Sequence, residues 1–299
     1  MNVRIKLGVV AASVAALALS ACGSSSLSGE PGGGASAPSV SVSQNVDLAS
    51  KLPESIKSAG VIKIGTDPTY APSEFLAADG KTVEGFDVDL FNQVAAKFGV
   101  KTEWQPSKFG SIITGVNGKK YDMGISSFTI NPDRLKQVDM VKYFNAGTQW
   151  ATQKGNPKGV DPDNACGKNI AVQTGTVQEN PDLSTRQKKC GSNKINVLSY
   201  DSQAQATSAV VTGKADAMLA DSPVVAYAVL QTGGKLEALG DIYDAAPYGY
   251  VLPKGETEFG QAIVEALKQL EQEGAYKAAL EKWGVQQGAI SDFTVNPTS

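Results

Sequence analysis

The chain has 299 residues, 30 acidic and 27 basic, with three cysteines and no histidine. Its mild acidity offers no basic stripe for nucleic acid and no polybasic surface for anionic lipid. Without histidine, a zinc site or a histidine-driven acid–base centre lacks its usual ligand.

The first residues set the address. Arg4 and Lys6 form a basic n-region, residues 7–19 an apolar stretch short for a bilayer span, and Leu19-Ser20-Ala21-Cys22 follows directly. That tetrapeptide resembles a bacterial lipobox, which implies cleavage before Cys22, a diacylglycerol on its thiol and an extracytoplasmic protein anchored by lipid. Residues 1–21 are then a lipoprotein signal peptide. Residues 22–46, dominated at first by Gly, Ser, Ala and Pro, read as a flexible tether. Losing Arg4 and Lys6 with the leader leaves 25 basic against 30 acidic residues, a net charge of −5. Cys166 and Cys190 are the only other cysteines. In an exported chain such a pair predicts a disulfide, worth about 3 kcal/mol for a loop of this length. No metal site is expected from two thiols and distant carboxylates.

The folded part is expected to begin near Asp47. Residues 61–64 alternate like a strand and run into the turn-rich Gly65-Thr66-Asp67-Pro68-Thr69-Tyr70. Residues 88–98 form a helix with Leu90, Phe91, Val94, Ala95 and Phe98 on one face and Gly99 at the C-cap. A strand at 101–105, a short helix at 109–116 and a strand at 122–125 follow. The last delivers Ser126-Ser127-Phe128-Thr129-Ile130, then Pro132 at the first turn of a helix carrying Arg134. Around residues 145–147 the chain changes course, and a second βα series occupies residues 148–231. Tyr248 to Leu252 and one long helix over 258–283, with Phe259, Ile263, Leu267 and Leu270 on its stripe, close the chain. Alternating strands and helices predict parallel sheets with right-handed crossovers, here in two α/β lobes.

An internal echo supports two like lobes. Gly118-Lys119-Lys120-Tyr121-Asp122-Met123 and Gly213-Lys214-Ala215-Asp216-Ala217-Met218 share a turn feeding a strand. Ligands of open α/β sheets sit beyond the carboxyl ends of strands. The polar groups at those ends would therefore face one cleft. Arg134 can pair a carboxylate through two parallel hydrogen bonds. Thr176 and Glu179 stand at capping-box spacing, so N–H groups at 176–177 point outward. Pro223 fits the first helical position, which makes Ser222 the N-cap and leaves the Asp221 carboxylate free for an ammonium. Tyr70 and Phe109 would wall an apolar stem. These groups together describe a zwitterion receptor.

The stretches Gly65 to Pro72, Gly85-Phe86-Asp87-Val88-Asp89-Leu90, Ser126 to Ile130 with Arg134, Val172-Gln173-Thr174-Gly175-Thr176, Asp216-Ala217 with Asp221, and Tyr248-Gly249 resemble, in order, the polar amino-acid substrate-binding proteins of ABC transporters, bacterial solute-binding family 3. The resemblance spans residues 52–283. It implies a type II periplasmic-binding-protein fold, with residues 47–146 plus 247–299 as one lobe, 147–246 as the other, and two strand crossovers as a hinge. It also implies Arg134 as the carboxylate-binding arginine and Asp221 as the ammonium-binding aspartate. Ser126, Ser127, Thr129 and Thr176 would be ligand contacts, Tyr70 and Phe109 the aromatic walls, and Asp67 an acid near the ligand's side chain. Ser73, Val177 and Pro181 depart from the family's pattern. Val177 loses a side-chain contact but keeps its backbone donor, and Pro181 predicts a helix that is short or restarts with Asn180 as its cap.

The function implied is a lipid-anchored, extracytoplasmic or periplasmic monomer that captures a polar amino acid and passes it to an ABC permease, without cofactor or catalysis. Two alternatives use the same scaffold: an enzyme, such as a dehydratase or peptidoglycan lyase, and a sensor for a membrane kinase. An enzyme would have to use Asp67 or Glu74 as its acid or base.

Overall fold

The computed structural model describes residues 42–297. The leader, Cys22 and most of the tether lie outside them. The folded part begins a little before Asp47. Asn45 caps α1 (Val46–Ser50), accepting from the N–H groups of Asp47 and Leu48, and donates its own N–H to the Lys97 carbonyl.

After α2 (Glu54–Ala59) come β1 (Val61–Thr66) and a small antiparallel sheet of β2 (Thr69–Tyr70), β3 (Glu74–Leu76) and β4 (Val83–Glu84). Then α3 (Phe86–Phe98), β5 (Lys101–Pro106), α4 (Phe109–Asn117), β6 (Met123–Thr129) and α5 (Pro132–Gln137) complete the first series. The long strand β7 (Asp139–Gln153) leads to the second: β8 (Asn169–Gln173), a kinked helical segment Gln178–Leu183, α6 (Ser184–Lys188), β9 (Asn196–Tyr200), α7 (Gln203–Val211), β10 (Ala217–Asp221) and α8 (Ser222–Gln231). The long strand β11 (Leu236–Leu252) returns the chain, and α9 (Thr257–Gln272) and α10 (Ala275–Lys282) pack near its end.

The large sheet runs β5-β1-β6-β11-β7-β10-β8-β9. β1 lies parallel to β5 and β6, and β8 lies parallel to β9 and β10, so each lobe is the same βαβ arrangement. Antiparallel β7 and β11 join them. At ~3.3 Å per residue, the 15 residues of β7 reach ~50 Å, enough for one strand to serve both lobes. The change of course expected at 145–147 is therefore no break in β7. It is a stretch where the β7–β11 register shifts, between Leu239 and Tyr243, Tyr243 and Ala246, and Tyr248 and Gly249.

The sequence echo has a structural basis. The Asp122 N–H donates to the Lys63 carbonyl while its carboxylate accepts from the Lys63 N–H at 2.8 Å. Asp216 repeats this latch on Asn169, also at 2.8 Å. In both lobes an aspartate thus fixes the register of the strand that delivers polar groups to the cleft.

The predicted stripe of α3 is fully buried, and its helix ends at Gly99 in the left-handed conformation. Phe259, Ile263, Leu267 and Leu270 of α9 join the same core. The single helix expected over 258–283 is in fact two. Gly274 adopts φ +76° between them, a conformation that ends the first helix at little steric cost. Cys166 and Cys190 form the expected disulfide. No helix among the described residues is long and apolar enough to cross a membrane.

Candidate functional site

Parallel β1 and β6 deliver Asp67 and Ser126-Ser127 from the first lobe. From the second, parallel β8 and β10 deliver Gln173 and Asp221. Nine of the ten residues expected at the site line one cavity. The tenth, Asp67, stands behind the wall.

Arg134 forms one pole. Asn131 caps α5 by accepting the Arg134 N–H at 2.9 Å, and Pro132 occupies the first turn as predicted. The guanidinium donates to the Thr129 carbonyl at 2.7 Å and reaches across to the Gly175 carbonyl at 3.2 Å. It lies 5.4 Å and 5.2 Å from the ring centres of Phe109 and Phe128, which stack on each other. No carboxylate among the described residues forms an ion pair with it. Burial lowers its pKa to about 10, opposed by the charge of Asp221, so it stays cationic at neutral pH.

Asp221 forms the other pole. α8 begins at Ser222, so Asp221 rather than Ser222 occupies the cap position. The Asp221 side chain makes no capping bond. Its carboxylate instead accepts from Tyr70 Oη at 2.8 Å, Tyr248 Oη at 2.7 Å and Gln178 Nε2 at 2.7 Å. Burial raises its pKa, while the two tyrosines, Gln178 and the charge of Arg134 pull it back. Two buried charges of opposite sign, neither in an ion pair among the described residues, thus line one cavity.

The loop after β8 brings Thr176 and Val177. Thr176 Oγ1 accepts from the Glu179 N–H at 3.3 Å, but the Glu179 carboxylate reaches the Gly175 N–H at 2.7 Å, one residue earlier than a capping box requires. Asn180 is extended at φ −149°, ψ 122°, so the helix restarts at Pro181.

Behind the first lobe's wall lies a layer of acids. Asp67 accepts from Thr69 Oγ1 at 2.8 Å, the Phe109 N–H at 3.2 Å and Gln173 Nε2 at 2.6 Å. Ser126 Oγ donates to Glu74 at 2.9 Å and accepts the Asp67 N–H at 3.1 Å. Asp87 accepts from Tyr143 Oη at 2.8 Å and from both the N–H and hydroxyl of Ser127 at 3.3 Å. Ser127 has φ +50°, where β6 bulges against β11. Such a bulge re-aims side chains, and Asp87 holds the strained backbone in place. Glu74 and Asp87 are fully buried, and burial with the neighbouring charge pushes the Glu74 pKa well above the usual carboxylate range.

Residues 62–286 match the family model for bacterial extracellular solute-binding proteins, family 3. The chain belongs to this family. An arginine-binding protein of Corynebacterium glutamicum is 34% identical over 253 residues, covering 84% of this chain and 83% of its own. The lysine/arginine/ornithine-binding periplasmic protein of Escherichia coli is 31% identical over 252 residues, covering 82% and 93%. Among solved structures, an ancestral arginine-binding protein bound to arginine aligns with TM-score 0.71 at 32% identity, covering 75% of this chain and 98% of that one. An ancestral amino acid-binding protein, a precursor of cyclohexadienyl dehydratase, aligns with TM-score 0.68 at 31% identity, covering 77% and 98%. These relatives are binding proteins of the type II fold, and this family 3 protein shares that architecture.

In this solute-binding protein the sequence reading omitted Gln173, Gln178, Tyr248, Glu74 and Asp87 as site residues. Gln173, Asp87 and Tyr248 sit inside stretches that carried the resemblance, so their positions held a signal. Gln178 carries none, because a glutamine in a first helical turn has no distinguishing pattern.

Proposed function

We propose that the protein binds a basic L-amino acid between its lobes, residues 47–146 with 247–299 and residues 147–246, and delivers it to an ABC permease. A diacylglycerol on Cys22 would hold it at the outer face of the membrane. The observation that carries this reading is the pair of buried charges, Arg134 and Asp221, that line one cavity and form no ion pair among the described residues. Arg134 would take the α-carboxylate and Asp221 the α-ammonium, with Ser126, Ser127, Thr129, Thr176 and Val177 lining the contact and Tyr70 and Phe109 walling the stem. A zwitterion neutralises both poles, which matters because an unpaired buried charge is costly.

The basic side chain follows from charge balance. Asp67 is buried and has no cationic partner among the described residues. Once the zwitterion has neutralised Arg134 and Asp221, its charge is left over. A ligand carrying one more positive charge balances it, in agreement with the arginine- and lysine-binding relatives. Catalysis is not part of this reading. The acids behind the cavity are engaged with serines, a tyrosine and backbone N–H groups.

The test is a thermal-shift screen of the mature protein, unfolded and refolded to remove carried-over ligand, against the common amino acids. Ligand at ~1,000 times its dissociation constant adds about 4 kcal/mol, a shift of several degrees. Arginine, lysine or ornithine should give the largest shift. Silence across the panel from folded protein contradicts the proposal.

A further inference from the structure

β7 serves both lobes, and its two edges are covered differently. β11 follows one edge, while on the other β10 pairs with the second-lobe half from Thr148 to Thr152. In the first-lobe half, Asp139 to Asn145, no strand of the sheet among the described residues takes that other edge. The end of the chain takes it instead. The Thr294 carbonyl accepts the Lys142 N–H at 2.9 Å, Val295 faces Val141 in an antiparallel bridge, and the Asn296 N–H donates to the Met140 carbonyl at 2.8 Å. The Asn296 side chain completes the contact, with Oδ1 accepting the Met140 N–H at 2.8 Å and Nδ2 donating to Asp139 at 2.9 Å. It does so at φ +49°, a left-handed conformation that Asn tolerates better than most residues.

The same stretch reaches the point where β7 leaves the first lobe. Tyr276 Oη accepts the Ile290 N–H at 3.0 Å and donates to the Tyr143 carbonyl at 2.9 Å, and Phe293 is buried edge-on against that ring. Gly288 lies where a Cβ would overlap the Phe144 ring and the Asn145 carbonyl. Asn296 and Pro297 share a groove with Asn145, Ala246 and Pro247, on the two strands that join the lobes. The match to the family ends at residue 286, so this arrangement lies outside it. None of residues 288–296 lines the ligand cavity.

We infer that residues 288–296 are a strap that braces the first-lobe half of β7, confines bending of that strand to Ala146 and Gly147, and so sets how tightly the protein closes on its ligand. The inference rests on the amino-acid reading of the cavity and adds a determinant of affinity outside it. A strand paired on both edges resists bending, because its N–H and carbonyl groups would have to leave their partners. Gly288 packs on Asn145, and Thr148 is paired with Asp221. Ala146 and Gly147 remain between them, and a glycine absorbs a change of dihedrals at little steric cost. An open form with so short a pivot samples few geometries, so little order has to be restored on closing. Releasing the strap frees residues 139–145 in the open form, and closure must then fix them again.

The experiment is amide hydrogen exchange and calorimetric titration of L-arginine on the wild-type protein and on Asn296→Ala, which removes both side-chain bonds and disfavours the left-handed backbone. In the ligand-free variant, exchange across residues 139–145 should rise, and arginine affinity should fall about 10-fold. With arginine bound, exchange should return toward the wild-type level. Raised exchange with unchanged affinity would overturn the inference while leaving the amino-acid reading intact, because a strap that serves stability alone loosens the strand without touching closure. Unchanged exchange would overturn it too, whatever the affinity. If Asn296→Ala does not fold, the wild type decides. Its Met140 and Lys142 amides should be as protected without arginine as with it, and protection that arises only on binding would show that the strap does not brace the open form. If arginine does not bind the wild type, the amino-acid reading fails first and this inference with it.

Discussion

Tyr70, just after β1 in the first lobe, donates its hydroxyl proton to Asp221, at the end of β10 in the second, at 2.8 Å. The carboxylate assigned to the ligand's ammonium is therefore also a bridge between lobes. Gln173 to Asp67 at 2.6 Å and Arg134 to the Gly175 carbonyl at 3.2 Å cross the same cleft. A ligand that needs groups from both lobes stabilises the closed arrangement over the open one, and closure follows from binding.

Asp221→Asn keeps the shape of the side chain and removes its charge. Affinity for arginine should fall about 100-fold or more, since a buried ammonium loses its counter-charge. Thermal stability without ligand should change little, because burial already disfavours the charge that the substitution removes. Calorimetry and melting curves on the same preparation check both. Retained affinity would remove Asp221 from the site.

The buried Glu74–Asp87 pair predicts an unusual pH dependence. The Glu74 pKa lies well above the ordinary 4.5, so the native protein keeps a proton that the unfolded chain releases. With more protons bound in the native state, stability falls as pH rises from about 4.5 toward the native pKa. Asp67, Asp87 and Asp221 shift in the same direction, so the comparison must be with Glu74→Gln, in which the amide retains an acceptor for Ser126 and a donor for Asp87. The variant should match the wild type near about pH 5 and exceed it near about pH 8 in denaturant midpoint. A wild type that gains on the variant as pH rises would contradict the raised Glu74 pKa.

The Cys166–Cys190 bridge closes a loop 24 residues in sequence separation, and neither cysteine lines the cavity. Replacing both by serine should cost about 3 kcal/mol of stability through the freed unfolded chain, with arginine affinity unchanged. A tenfold or greater loss of affinity would tie the bridge to the shape of the site.

Much of this was legible in the sequence because each signal was local. Asn131-Pro132 announced the start of α5 and so placed Arg134. The repeated Gly-Lys turn announced that β6 and β10 are equivalent strands, with Asp122 and Asp216 in equivalent latches. The less legible parts depend on contacts distant in sequence. β11 read as a short strand at 248–252 because its first half is mostly exposed and does not alternate, whereas its pairing with β7 extends it back to Leu236. Asp67 read, through the family resemblance, as an acid near the ligand's side chain. Only the packing of Gln173 against it puts one amide between the acid and the cavity. The break at Gly274 was open to reading, but the apolar stripe on either side of it masked the turn.

The most direct test of the central claim compares three ligands on one wild-type protein: L-arginine, L-argininamide and N-acetyl-L-arginine. The second lacks the α-carboxylate assigned to Arg134, and the third lacks the α-ammonium assigned to Asp221. Calorimetry should find one arginine per chain and losses of about 100-fold or more for each analogue, the cost of leaving a buried charge without its partner. An analogue that binds as tightly as arginine would show that the matching pole does not hold the ligand, and would contradict the account.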